Sequence, residues 1–197
     1  SDICDCIPHH TSHHSFPTRR PFDLRTNYGR TSIELFDSID FFDAPTIGAH
    51  VVWPTDAEIS TLADRKVGVI HNPTSNMKIA SGISPVTDML KAGVRVGLGT
   101  DGAASNNDLD MWEEMRLAAF LQKVEQMNPE VMSAGTVLKM ATSGGATAIG
   151  LGENIGSLEV GKRADLIQVA FDDVHHVPMY DVISHLVYVN DEQDVAS

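Results

Sequence analysis

Asp101 is the residue whose neighbours suit it best to chemistry. It follows the apolar run Val94, Arg95, Val96, Gly97 and Leu98, and it sits between Gly99-Thr100 and Gly102-Ala103-Ala104. Small neighbours let a substrate or a metal approach the backbone closely. An aspartate in that setting can ligate a divalent metal or take a proton from metal-bound water. Two histidines repeat the pattern. Thr46, Ile47, Gly48 and Ala49 lead to His50, and Val67, Gly68, Val69 and Ile70 lead to His71. His50 could orient or polarise a water beside Asp101. Taken singly, a strand-end aspartate is as often a helix cap, and a lone histidine after an apolar run is more often a core residue. Three such residues in register on successive units weaken both of those readings.

The elements that must position these residues are well punctuated. Thr31 with Glu34, and Thr55 with Glu58, are capping boxes that open two helices. Ser84 before Pro85 is expected to cap a third helix, which Gly93 closes. A longer helix is expected to start at Asn107 or Asp108. Trp112, Met115 and Ala119 share one of its faces, and Leu117, Leu121 and Val124 share another, as in a helix buried between neighbours. Ser133 caps a further helix through Val137, Leu138 and Met140. Strand, loop and helix thus recur at the size of a βα unit, which builds parallel sheets or barrels. Three strands ending in His or Asp describe one rim of a (β/α) barrel, the rim where such barrels keep their chemistry. Three strands are too few to close eight, so strand edges would stay open.

Composition sets the outer bounds. The 197 residues are 42% hydrophobic, enough for a core and at most two domains. No run of about 18 apolar residues exists, so no membrane span is expected, and no secretory signal pattern is seen. Only two cysteines occur, Cys4 and Cys6, too close together to staple a fold, which fits a reducing cytoplasm. A net charge of −13 repels phosphate backbones and argues against nucleic acid as a partner. The expected partner is a small-molecule substrate, and homo-oligomerisation stays open.

The chain reads as three parts. Residues 1–27 form an atypical leader in which His9, His10, His13 and His14 lie among prolines and arginines without apolar periodicity. Residues 28–150 carry the βα alternation. Residues 151–197 read as a short β-rich tail, in which His175 and His176 are expected on a surface loop. Cys4, Cys6 and the leader histidines are ligand types suited to Zn²⁺. Their spacing matches no structural zinc module, and a flexible segment that binds metal incidentally is the preferred reading.

Residues 71–82 (HNPTSNMKIASG) and 99–110 (GTDGAASNNDLD) resemble the amidohydrolase superfamily, and more narrowly its 5-methylthioadenosine/S-adenosylhomocysteine deaminase group, relatives of the triazine hydrolases and of guanine and cytosine deaminases. Residues 113–119 (EEMRLAA) continue the likeness, and residues 156–165 (GSLEVGKRAD) resemble the turn into that family's small β-sandwich. The likeness implies an α/β fold: the C-terminal part of a TIM-like (β/α)8 metal-dependent hydrolase barrel, with part of a composite β-sandwich. It implies hydrolytic deamination of an aminopurine nucleoside, with Zn²⁺ or another divalent metal such as Fe²⁺ as cofactor. Asp101 matches the aspartate after strand eight, which binds metal and shuttles a proton. His50 matches the histidine after strand six, which helps activate the water. His71 and Asn76 match rim or pocket positions and are expected near substrate, while Asn106 and Asn107 are expected to hold the loop.

The departures matter as much. The family's His-x-His pair on strand one has no counterpart here. Its histidine after strand five would fall in the leader, at His10 or His13, and spacing back from Tyr28 favours His13 as a metal ligand. The glutamate that follows it in the family is missing, because Phe16 stands three residues after His13. The chain is therefore expected to be a partial deaminase, inactive alone, behind a leader that a reading-frame error or an incomplete gene model would produce. A triazine hydrolase, a guanine or cytosine deaminase, and a non-catalytic barrel fragment serving assembly are the alternatives.

Overall fold

The computed structural model describes residues 26 and 28–196. Three short strands form one parallel sheet in the order β1 (Ile47–Ala49), β2 (Gly68–His71) and β3 (Arg95–Leu98). Ala49 pairs with Ile70, and His71 pairs with Leu98. The ladder runs one step past the assigned strands, because the His50 amide donates to the Ile70 carbonyl at 2.8 Å and the Gly99 amide to the His71 carbonyl at 3.0 Å. His50 and His71 therefore leave the sheet at the same level, with Asp101 just beyond.

Helices connect the strands as the capping signals predict. Thr31 and Thr55 each accept from the amide three residues on, and Glu34 and Glu58 return the bond, opening α1 (Ser32–Ser38) and α2 (Asp56–Asp64). The Thr31 hydroxyl also donates to Glu58, tying the two boxes together. Between α1 and β1, Phe41–Asp43 make a 3-10 turn whose Phe42 packs edge-on to Phe36. After β2 come α3 (Pro73–Lys78) and α4 (Val86–Lys91), with Gly93 in the left-handed region closing the latter. After β3 come α5 (Met111–Glu125), α6 (Ala134–Ala141) and α7 (Ser143–Ala148). Leu62, Val67, Val69, Val86, Met89, Val96, Met115, Ala118, Val137 and Met140 form one core between the helices and the sheet. α7 presses on the opposite face, where a Cβ at Gly68 would overlap the Ala148 carbonyl and one at Gly97 would lie 2.8 Å from the Gly145 Cα. Those two glycines let helix and sheet touch.

Three local expectations are corrected. Ser84 does not cap α4. Its hydroxyl donates to the Val51 carbonyl at 2.8 Å, and Gln122 of α5 instead accepts from the Thr87 amide at 3.1 Å. α5 begins at Met111, because Asn107 and Leu109 have positive φ and Asp110 accepts from the amides of Trp112 and Glu113. α5 also buries one face, made of Glu114, Met115, Ala118, Ala119 and Gln122. Val124, expected on a second buried face, is 69% exposed.

Beyond Gly150, the β character expected of the tail is represented among the described residues by one antiparallel bridge, Val169–Val195. The tail holds two 3-10 turns, Val174–His176 and Glu192–Asp194, and a helix α8 (Val182–Tyr188) that packs on α5 and α6. No described helix is long and apolar enough to cross a membrane.

Candidate active site

His50, Asn76 and Asp101 converge at the C-terminal end of the sheet. The His50 Nε2 lies 3.7 Å from Asp101 Oδ2, and its Nδ1 lies 2.8 Å from Asn76 Oδ1. Backbone geometry helps aim them. His50 has φ +66°, Val51 +44° and Asp101 +61°, all left-handed, and for the β-branched Val51 this is an outlier. Such strain persists only where the surroundings impose it, and it concentrates at functional sites.

The contacts assign chemical states. The His50 Nδ1 has Asn76 Oδ1, which can only accept, at 2.8 Å and the Asn72 amide nitrogen at 3.4 Å; the shorter contact makes Nδ1 the donor, and Nε2 is the nitrogen turned toward Asp101. A separation of 3.7 Å is too long for a direct hydrogen bond and leaves the pair able to share a third group. Asp101 Oδ2 accepts from the hydroxyls of Ser75 and Ser105, each at 2.7 Å. Burial pushes the Asp101 carboxyl up. The donors Ser105 and Ser75, the Gly102 amide and the charge of His50 outweigh it and hold the group below the usual aspartate range. Its side chain is 34% exposed, so it is an ionised carboxylate partly open to solvent.

His71 and Asn76, the residues expected near substrate, stand at the C-terminal end of β2 and within α3. Both are buried, and neither ring nitrogen of His71 has a hydrogen-bond partner among the described residues. Burial, followed by the charge of His50, lowers the His71 imidazole to about 3, so it is a neutral buried ring. Asn76 meets the site through the His50 ring. Asn106 holds the loop as expected: its amide donates to the Thr100 carbonyl at 2.8 Å and its oxygen accepts from the Leu109 amide at 3.0 Å. Asn107 contacts Lys78 on the surface.

Sequence reasoning missed Glu114. It is fully buried, takes the Asn106 amide on Oε1 at 2.6 Å and accepts the Thr74 amide on Oε2 at 3.2 Å. Burial pushes its carboxyl above the usual glutamate range, against the hydrogen bonds from Thr74 and Asn106. Glu114 thereby joins the first turn of α3, which supplies Ser75, to the loop that carries Asp101. The only signal in the sequence was an acidic residue on the helix face that also carries Met115 and Ala118.

A catalytic Zn²⁺ takes about three protein ligands and keeps one open position. Among the described residues the rim offers Asp101 and, beside it, His50, which is too few to make a zinc site. His13, the other ligand expected, lies outside the described residues.

A model of the amidohydrolase family matches residues 9–197. A 5-methylthioadenosine/S-adenosylhomocysteine deaminase of Desulforudis audaxviator is 54% identical over 172 residues, which is 87% of this chain and 40% of that protein. A 5'-deoxyadenosine deaminase of Methanosarcina acetivorans is 51% identical over 84% of this chain and 38% of its own length. Among solved structures, an adenosine deaminase from Xanthomonas campestris with bound zinc superimposes with a TM-score of 0.86 at 39% identity, covering 90% of this chain and 40% of that one. The chain thus spans about two fifths of the relatives it matches.

Proposed function

The chain belongs to the amidohydrolase family, and from that premise we propose that it supplies the His50–Asp101 part of an active site that hydrolytically deaminates an aminopurine nucleoside of the methylthioadenosine or S-adenosylhomocysteine class. The observation that carries this reading is the pairing of His50 Nε2 with an ionised Asp101 across 3.7 Å. A carboxylate kept ionised is a proton acceptor, and an imidazole fixed through its Nδ1 presents Nε2 for polarising a water. Asp101 takes the proton of the attacking water as its oxygen bonds to the amine-bearing ring carbon. The same carboxyl returns the proton to the amino group, and ammonia leaves as the carbon–nitrogen bond breaks. His50 orients the water, and Asn76 orients His50. Asp101 is the described residue that would meet a divalent metal, Zn²⁺ or Fe²⁺. The location we propose is cytoplasmic. Named relatives that deaminate adenosine-type nucleosides favour this reading over triazine or guanine chemistry.

The test is a chimera in which residues 28–196 replace the matching segment of the Desulforudis relative. The expected result is ammonia release from 5'-methylthioadenosine or S-adenosylhomocysteine, while the isolated chain releases none. A folded, zinc-loaded chimera inert toward both substrates and toward 5'-deoxyadenosine would overturn the assignment. Zinc-dependent deamination by the isolated chain, abolished by Asp101→Ala, would show that the chain is sufficient by itself.

A further inference from the structure

The tail holds a second convergence of ligand side chains, remote in sequence from the rim. His175 and His176, expected on a surface loop, instead sit in a 3-10 turn with His176 buried to 1% exposure. The His176 Nε2 lies 3.3 Å from Asp194 Oδ2, and the His175 Nε2 lies 3.4 Å from Asp194 Oδ1. The chosen nitrogen, nitrogen and oxygen atoms all fall within 4.8 Å of one another, the one such group of three among the described residues. We propose that His175, His176 and Asp194 bind a divalent transition-metal ion of the Zn²⁺ class that fastens the C-terminal arm to the preceding turn.

Each ring nitrogen stands from its own oxygen of Asp194 at the ligand–ligand spacing of such an ion, and the three ligand atoms need only close from within 4.8 Å of one another to share it. With metal–ligand bonds of about 2.0–2.2 Å, neighbouring ligand atoms of a tetrahedral site stand about 3.3–3.6 Å apart. Two imidazoles and a carboxylate are also the donor types such ions take. The polar groups around the cluster are incompletely satisfied without one. Asn190 is fully buried beside it, with Nδ2 3.0 Å from His176 Nε2 and 2.9 Å from Asp194 Oδ2, while its Oδ1 and the His176 Nδ1 have no partner among the described residues. In the tautomer that leaves Nε2 of His176 unprotonated, its lone pair and the Asp194 carboxylate are two acceptors 3.3 Å apart, an arrangement a cation relieves, while Asn190 Nδ2 keeps its hydrogen bond to Asp194 Oδ2 at 2.9 Å. His175 is 41% exposed and gives the ion a way in, and its Nδ1 faces Asp173 Oδ2 at 3.9 Å, a carboxylate able to orient the ring. The surroundings are already held together: the Ala170 amide donates to the Asp194 carbonyl at 2.8 Å and the Ala196 amide to the Gln168 carbonyl at 2.8 Å. The ion would add to a formed arm.

The test titrates Zn²⁺ and Co²⁺ into the full chain and into His175→Ala, with His175→Asn as a second variant if the first does not fold. The half-exposed His175 can be removed without opening the buried His176–Asn190–Asp194 cluster. The expected result is one fewer equivalent of Zn²⁺ bound by the variant, and a smaller rise in melting temperature on adding Zn²⁺. The Co²⁺ difference spectrum should show tetrahedral d–d bands without the near-ultraviolet thiolate band that Cys4 and Cys6 would give. Equal stoichiometry and superimposable Co²⁺ spectra for the wild-type chain and a folded variant would overturn the proposal. A difference spectrum carrying the thiolate band would assign the lost ion to the leader and overturn it equally.

Discussion

Asn76 Oδ1 accepts from His50 Nδ1 at 2.8 Å, while His50 Nε2 lies 3.7 Å from Asp101 Oδ2 on the other side of the ring. Asn76 is itself buried at the C-terminal part of α3, whose Ser75 donates to Asp101. One short helix therefore orients both members of the pair. Asn76→Ala in the active chimera should lower kcat about 10- to 100-fold, the range seen when a residue that orients a working histidine is lost. Steady-state kinetics beside circular dichroism would check this, and an unchanged kcat in a folded variant would remove Asn76 from the account.

Glu114→Gln should destabilise the chain. The carboxylate accepts from Asn106 and from the Thr74 amide, one on each oxygen, whereas a glutamine must turn its NH₂ toward one of those donors. A buried donor left unsatisfied costs about 1–3 kcal/mol. Urea unfolding at neutral pH measures it, and stability equal to wild type would mean that the network rearranges freely.

His71 makes stability depend on pH. Its folded value is lowered from 6.5 to about 3, so between those limits the unfolded chain binds a proton that the folded chain refuses. The contribution is fully present above pH 6.5 and is lost as pH falls toward 3, by about 1.4 kcal/mol per unit. His71→Leu, which keeps an apolar body in the same space, should flatten that slope. Denaturant midpoints at pH 7 and pH 5 decide the matter, and an unaltered slope in the variant would show that other groups carry the acid sensitivity.

Gly68→Ala should cost about 1–3 kcal/mol, in the range of overpacked cores. The added methyl must displace the Ala148 carbonyl, which moves α7 off the sheet. Thermal melting is sufficient as a check, and an unshifted midpoint would mean that α7 is not pressed on the sheet in solution.

Local signals were legible in the chain before folding, and distant ones were not. The Thr31 and Thr55 capping boxes, the Ser133 cap and the Gly93 stop each depend on residues three or four apart, and all four stand in the structure. The strand ends that carry His50, His71 and Asp101 were readable because each follows a short apolar run. The α4 cap was misassigned to Ser84 because its real acceptor, Gln122, comes from another helix. Glu114 was invisible for the same reason: its partners Thr74 of α3 and Asn106 of the following loop meet it only once α5 has packed against them. In the tail, the β-branched Val182, Ile183, Val187 and Val189 favour a strand reading. Asp181 instead caps α8, accepting from the Ser184 amide at 2.7 Å, and packing on α5 and α6 sustains the helix.

The measurement closest to the central claim is the rate of Asp101→Asn in the active chimera, set beside that of His50→Ala with zinc content determined for both. Asp101→Asn keeps the shape and removes the charge that accepts the proton. The account predicts a folded protein slowed at least about 10²- to 10⁴-fold, the scale of a lost general acid–base. It also predicts that His50→Ala is slowed yet retains its zinc. An Asp101→Asn variant within a few-fold of wild type, or zinc lost with His50→Ala, would contradict the account.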